Sequence, residues 1–171
     1  MEILFNERVF RSKIKNYRKL NKIILDKIDS VPLRSYTNNN DQTIVSNTDW
    51  EIENDKSEFF KEFLGASVNH LKEICIHHNL DKCNIGRIWY QQYYEGSSHG
   101  WHNHPNCHFA NVYFVECPKG SSTKFKDFDL DCSVGEIISF PSYLIHNSPL
   151  LQKNKRKTVI AFNTNISIQG Q

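Results

Sequence analysis

Four histidines crowd ten positions of one short stretch, "SSHGWHNHPNCHF", residues 97–109: His99, His102, His104 and His108. Neutral imidazole is the commonest protein ligand for first-row metals. The crowding therefore reads either as a metal site or as a chance cluster on a polar loop. His102 and His104 are separated by one residue, and side chains at i and i+2 of a strand share a face, so both rings can reach one ion. Pro105 then ends the pairing. An H-x-H pair alone is a weak signal, but His146 in "FPSYLIHNSPL" lies between two strand-like segments much further along. Two ligands from one strand and a third from a distant one describe a site at a barrel mouth. Three protein ligands leave positions open, as catalytic metal sites do and closed structural ones do not. His99 and His108 are less cleanly in phase and read as residues that orient ligands or wall the pocket.

A second chemical signal follows in "NKRKTVIAF". Arg156 stands at the start of the strand that would return beside His146, where its guanidinium can aim into the same cavity. A bidentate carboxylate is the best partner for such an arginine. Thr158, two residues on, shares its face and adds a hydroxyl donor. The alternative is an exposed basic loop, the role expected for Lys153, Lys155 and Lys157.

The elements that must position these groups change character along the chain. In "SKIKNYRKLNKIILDKI", Ile14, Tyr17, Leu20, Ile24 and Ile28 recur at helical spacing after a short strand in "EILF". A second helix begins near Asp55, where Asp55 and Glu58 have capping-box spacing, and runs through Phe59, Phe63, Leu71 and Cys75. Its His70, His77 and His78 read as surface or C-terminal-turn residues. After Cys83 come "NIGRIWYQQYY", "FANVYFVEC", "STKFKDFDL", "GEIISFPSY" and "KTVIAFNTNISI", separated by "EGSS", "PKGSS" and "SVGE". Short β-branched and aromatic segments with regular turns predict a mainly β jelly roll with N-terminal flanking helices. The whole of residues 1–171 reads as one domain, with a strand and helical support region over 1–83 and the β core over 84–168.

Bulk composition fits that picture. A chain of 171 residues, 39% hydrophobic and 12% aromatic, suits one globular core. The net charge of +2 gives no support to a nucleic-acid or membrane-surface role. No apolar run approaches the ~18 residues of a spanning helix. The start, "MEILFNERVF", lacks the pattern of a signal peptide, and the five cysteines form no C-x-x-C pair. A cytoplasmic chain with reduced thiols is the expectation, in a host cytoplasm if the source is viral.

Taken together, "YYEGSSHGWHNHP", "GEIISFPSYLIHNSPL" and "RKTVIAFN" resemble the Fe(II)- and 2-oxoglutarate-dependent oxygenases. Among these, the chain is most similar to a small prolyl-hydroxylase-related branch of bacteria and phages with an H-x-H-P metal motif. The resemblance spans roughly residues 84–165 and implies a double-stranded β-helix. It implies a hydroxylase using Fe(II), 2-oxoglutarate and O2, with succinate and CO2 released. His102 and His146 match the two metal histidines, and His104 falls where most relatives outside the branch carry a carboxylate. Arg156 matches the arginine that holds the far carboxylate of 2-oxoglutarate, and Thr158 the serine that follows it. Tyr93, Tyr94 and His99 fall where contacts to 2-oxoglutarate are implied. "FANVYF" departs from the family at Ala110 and Asn111, which turns Asn111 toward the pocket. Trp89, Tyr90, Trp101 and Tyr113 are either pocket wall or barrel core.

The substitution at His104 has a chemical consequence. Three neutral imidazoles leave the divalent charge of the ion whole and tilt the site toward zinc or copper. Asp127 and Asp129 are the candidates for a carboxylate arriving from elsewhere. An imidazole also fills the space a halide would need, which argues against halogenation. Two other readings stand beside the oxygenase. A three-histidine cupin-like dioxygenase without 2-oxoglutarate explains the histidines but gives Arg156 no task. A non-enzymatic metal- or ligand-binding jelly-roll module predicts closed coordination. The substrate is expected to be a small molecule or an exposed peptide side chain. Oligomeric state is not readable from the sequence.

Overall fold

The computed structural model describes residues 9–40, 42–57 and 59–167. The expected strand "EILF" and the capping residue Glu58 lie outside them. Among the described residues the first strand is β1 (Phe10–Lys13), followed by α1 (Tyr17–Asp29). The helical pattern from Ser12 is cut short because Asn16 adopts a left-handed conformation (φ 56°) and residues 10–13 pair with a later strand. Two short strands, β2 (Tyr36–Asn38) and β3 (Thr43–Val45), form a hairpin, and β4 (Asn47–Thr48) follows.

The second helix, α2 (Phe60–His78), starts later than the spacing predicts. A 3-10 turn, Asn54–Lys56, occupies the expected first turn. Asn54 explains it: its side chain donates to the Gly86 carbonyl at 2.5 Å and accepts from the Ile88 amide at 3.0 Å. The turn is thus tied to the sheet instead of opening the helix.

The β core comprises β5 (Lys82–Tyr93), β6 (His99–His102), β7 (Phe109–Glu116), β8 (Lys124–Phe125), β9 (Glu136–Pro141), β10 (His146–Ser148) and β11 (Lys157–Ser167). A six-stranded antiparallel sheet, β1-β9-β7-β11-β5-β4, faces a three-stranded sheet, β6-β10-β8. This is the expected jelly roll with helices on its outside. Gly135, at φ 84°, makes the turn into β9; a Cβ there would overlap the Tyr17 ring.

The large sheet is covered on both faces. Toward the helices, Ile88, Tyr90, Tyr113, Val115, Ile160 and Phe162 pack with Ile24, Ile28, Phe63 and Ile74. Toward the small sheet, Tyr93, Val112, Phe114 and Val159 pack with Phe125, Phe140 and Leu144. Burial on both faces is why β5, β7 and β11 read as nearly continuous apolar runs, without alternation. His70 does not lie on the surface: it is buried on the helix side. Its Nε2 lies 2.8 Å from the Ser139 hydroxyl, which itself donates to the Asn111 amide oxygen, and its Nδ1 lies 2.6 Å from the Ser12 hydroxyl. His77 and His78 are exposed, as expected, and their rings meet Phe10 edge-on.

Candidate metal centre

His102 ends β6 and His146 begins β10, and the two are direct partners in the ladder between those strands. His104 lies just beyond β6, its amide anchored on the Ser142 carbonyl at 2.9 Å. The ring nitrogens of the three come within 4.8 Å of one another. Each ring is steered from its far side. His102 Nδ1 donates to the Gly100 carbonyl at 2.8 Å, and His146 Nδ1 to the Leu144 carbonyl at 2.9 Å. His104 Nδ1 meets the amide oxygen of Asn163 at 2.6 Å. Since those partners only accept, each Nδ1 carries the proton and each Nε2 keeps its lone pair for a ligand.

Burial favours the neutral form of two of the three rings. His146 is pushed down to about 2, first by burial and then by the neighbouring His102, and burial also lowers His104. Three preset imidazoles with nitrogens this close fit a divalent transition-metal ion. Asp127 and Asp129 are exposed and do not line the cavity, so neither supplies the missing carboxylate. His99 joins the site: its ring stacks on His102 at 3.9 Å, and its Nδ1 lies 3.2 Å from the Gln91 amide nitrogen. His108 stays outside, exposed and 3.1 Å from the Asn165 side chain.

The imidazoles open onto a cavity of about 430 Å³ between the two sheets. At its inner end the structure departs from the expected cosubstrate pocket. Arg156 does not enter it. It lies on the helix side of the sheet, with Nε and Nη2 on the two oxygens of Glu116 (2.8 and 2.9 Å) and Nη1 on Asp29 (2.9 Å). The bidentate carboxylate expected for this arginine is therefore one of the protein's own. Thr158 belongs to the same network, donating to Glu116 at 2.5 Å.

The residue that does enter is Lys157, one place along. On β11, Lys157, Val159, Ala161 and Asn163 line the cavity, and the alternate residues face the helices. Lys157 is 1% exposed, and its ammonium donates to the Ser148 hydroxyl at 2.8 Å. No carboxylate lies within ion-pair distance of it among the described residues. Burial lowers its pKa to about 8, which leaves it charged at neutral pH. A buried cation without a counter-ion is costly, so this geometry fits a ligand that brings an anion.

The remaining predicted residues divide by strand parity. Tyr93 and Trp89 line the cavity, as expected. The Tyr93 hydroxyl donates to Gln91 at 2.8 Å, and burial raises its pKa so that it stays neutral. Tyr94, just past the end of β5, is exposed. Trp101 is 50% exposed on the outside of β6 and misses the pocket. Asn111 and Tyr113 face the helices. Asn111 donates to the Phe162 carbonyl at 2.8 Å, and the Tyr113 hydroxyl donates to Asn21 at 2.5 Å. Sequence reasoning missed Lys157, Gln91, Asn163 and Ser148. Only the i+2 spacing of Trp89, Gln91 and Tyr93 could have signalled any of them.

No family model matches the chain, and no curated protein matches it in sequence. Solved structures do match. A viral collagen prolyl hydroxylase from Paramecium Bursaria Chlorella virus-1, determined as its 2OG complex, superposes with a TM-score of 0.66 at 13% identity, over 94% of this chain and 97% of that one. An oxidoreductase of the 2OG-Fe(II) oxygenase family from Burkholderia pseudomallei gives 0.67 at 12% identity, over 91% and 85%. A prolyl hydroxylase from Trichoplax adhaerens, in complex with a hypoxia inducible factor oxygen degradation domain peptide fragment, gives 0.66 at 12% identity, over 91% and 83%. The fold of this chain is the fold of these proteins.

Proposed function

We propose that this chain, which has the fold of the 2OG-Fe(II) oxygenases, is itself an Fe(II)- and 2-oxoglutarate-dependent dioxygenase that hydroxylates an organic substrate. One observation carries the reading: a fully buried lysine, with no carboxylate partner among the described residues, shares a cavity with three convergent histidines. A metal cluster alone would fit many proteins. The buried cation beside it calls for a ligand with a carboxylate at the far end, as 2-oxoglutarate has.

His102, His104 and His146 would hold the iron, and Lys157, with the Ser148 hydroxyl beside it, would hold the far carboxylate. When bound, iron and 2-oxoglutarate supply the oxidation with O2, one oxygen atom going to the substrate and the other to succinate as CO2 leaves. The chain's own part is placement. The Gly100 and Leu144 carbonyls and Asn163 fix the three rings before any ligand arrives. Val112, Val159 and the buried Tyr93 wall the inner end against water. Tyr93 and Gln91 link that end to His99, which braces His102 by stacking.

The all-histidine donor set also favours a second reading, a dioxygenase that needs no keto acid. That reading leaves Lys157 buried with no anion to neutralise it among the described residues. The test is succinate formation from 2-oxoglutarate under air, followed by NMR with and without Fe(II). The proposal expects iron-dependent succinate that His102→Ala abolishes. Consumption of O2 with 2-oxoglutarate untouched would favour the second reading.

A further inference from the structure

The charge inventory of the cavity bears on what enters from the mouth. Among the described residues, no aspartate or glutamate lines it. Two cations do, Lys157 at the inner end and Arg87 at the mouth. If the oxygenase reading holds, 2-oxoglutarate brings two negative charges. Against these stand a divalent ion whose three ligands are neutral, the Lys157 ammonium and the Arg87 guanidinium. The loaded cavity is then positive, and its walls of low polarity focus that potential toward the mouth.

Arg87 is placed to use it. Its guanidinium lies over the Trp50 ring, 5.1 Å from the centre. Trp50 meets Trp89 edge-on at 4.3 Å and 84°, and Trp89 stacks beside His104 at 6.0 Å and 25°. An unbroken series of contacts thus runs from the mouth cation to a metal-facing imidazole. A guanidinium held over a ring by a cation–π contact still has N–H groups to offer a bidentate oxyanion. Arg87 is in no ion pair among the described residues. The nearby acid, Asp49, is buried and occupied by the Ser57 hydroxyl and the Tyr90 amide.

We propose that the substrate is an anion whose carboxylate or phosphate is held by Arg87, with its adjoining flat or apolar part against Trp50 and Trp89. The reacting carbon then lies between that anchor and the metal. This rests on the oxygenase reading for the place of 2-oxoglutarate, and on Arg87, Trp50 and Trp89 for the rest.

The test uses the full chain loaded with Zn(II) and saturating 2-oxoglutarate, titrated with simple aromatic probes and followed by tryptophan fluorescence. The probes are phenyl phosphate, benzoate, neutral benzamide and cationic benzamidine. The proposal expects at least one anion to bind tenfold or more tightly than benzamide, and benzamidine not to bind. The tighter anion identifies phosphate or carboxylate as the substrate's group. Arg87→Gln should bring the preference below twofold, and Arg87→Lys should restore part of it. Equal binding of all four probes, no anion binding at millimolar concentration, or a preference that survives Arg87→Gln overturns the proposal. The absorbance band of Fe(II) with 2-oxoglutarate is read separately. A band without anion preference defeats only this inference, and preference without a band defeats only the oxygenase reading.

Discussion

Lys157 and Tyr93 are direct partners in the ladder between β11 and β5, and the Lys157 ammonium lies 5.3 Å from the centre of the Tyr93 ring. An aromatic face, the Ser148 hydroxyl and, electrostatically, Cys117 and Cys132 are thus the company of a fully buried charge. In the proposed reading a ligand anion completes this cation, which separates Lys157 from Arg156, whose anions are the protein's own Glu116 and Asp29.

Substitution separates the two. Lys157→Gln should weaken 2-oxoglutarate by at least about 30-fold, since losing one side of a buried charged pair costs about 2 kcal/mol or more. The ligand-free variant should be at least as stable as the parent, because an uncompensated buried cation has been removed. Arg156→Gln should do the reverse: 2-oxoglutarate binding within twofold of the parent and a fold weakened by about 1–2 kcal/mol, through loss of the Glu116 and Asp29 pairs. Calorimetric titration and denaturant unfolding read the two effects independently.

The same lysine sets a pH dependence. Burial lowers its pKa to about 8, and only the ammonium attracts a carboxylate. Affinity for 2-oxoglutarate should be flat through neutral pH and fall above pH 8, approaching about tenfold per pH unit as the free protein loses the proton. Lys157→Arg should remove the fall. A flat profile to pH 9.5 in the parent would show that another group holds the anion.

Asn163 is a positioning residue. Its amide oxygen holds His104 Nδ1 at 2.6 Å, so Asn163→Ala should weaken metal binding about 10- to 100-fold without touching a ligand. Competition with a chromophoric chelator measures this directly. Asn163→Asp, which keeps the acceptor, should restore binding.

Acid stability should report on His70, which is held by Ser12 and Ser139 and is not among the three convergent histidines. Burial lowers its pKa to about 4, whereas in the unfolded chain it protonates near its ordinary value of 6.5. Between those values the unfolded state binds the extra proton, so stability rises with pH across that window and is lost on acidification, by up to about 1.4 kcal/mol per pH unit. His70→Gln should flatten that part of the profile relative to the parent.

The histidines were legible because their signal is local. H-x-H on an extended chain puts two rings on one face whatever surrounds it, and His146 stood out as a lone imidazole between apolar runs. The cosubstrate end was not legible in the same way. β11 is buried on both faces, so no polar alternation marks which residues look inward, and a one-residue error in phase exchanges Arg156 and Thr158 for Lys157 and Val159. Asn111 was misplaced by the same ambiguity on β7, while for Tyr113 the core alternative is the one the structure takes. Trp101 failed differently: it lies on the outer face of the strand that carries His102, one residue out of phase with it. Helix boundaries failed where a side chain outcompeted periodicity, as Asn54 does by holding its turn against β5.

The most direct measurement is an anaerobic titration of the metal-free protein with Fe(II) and then 2-oxoglutarate, followed by visible absorbance. The account predicts a band that neither addition gives alone, greatly weakened in Lys157→Gln and unchanged in Arg156→Gln. Iron binding without the band, or a band indifferent to Lys157, would contradict it.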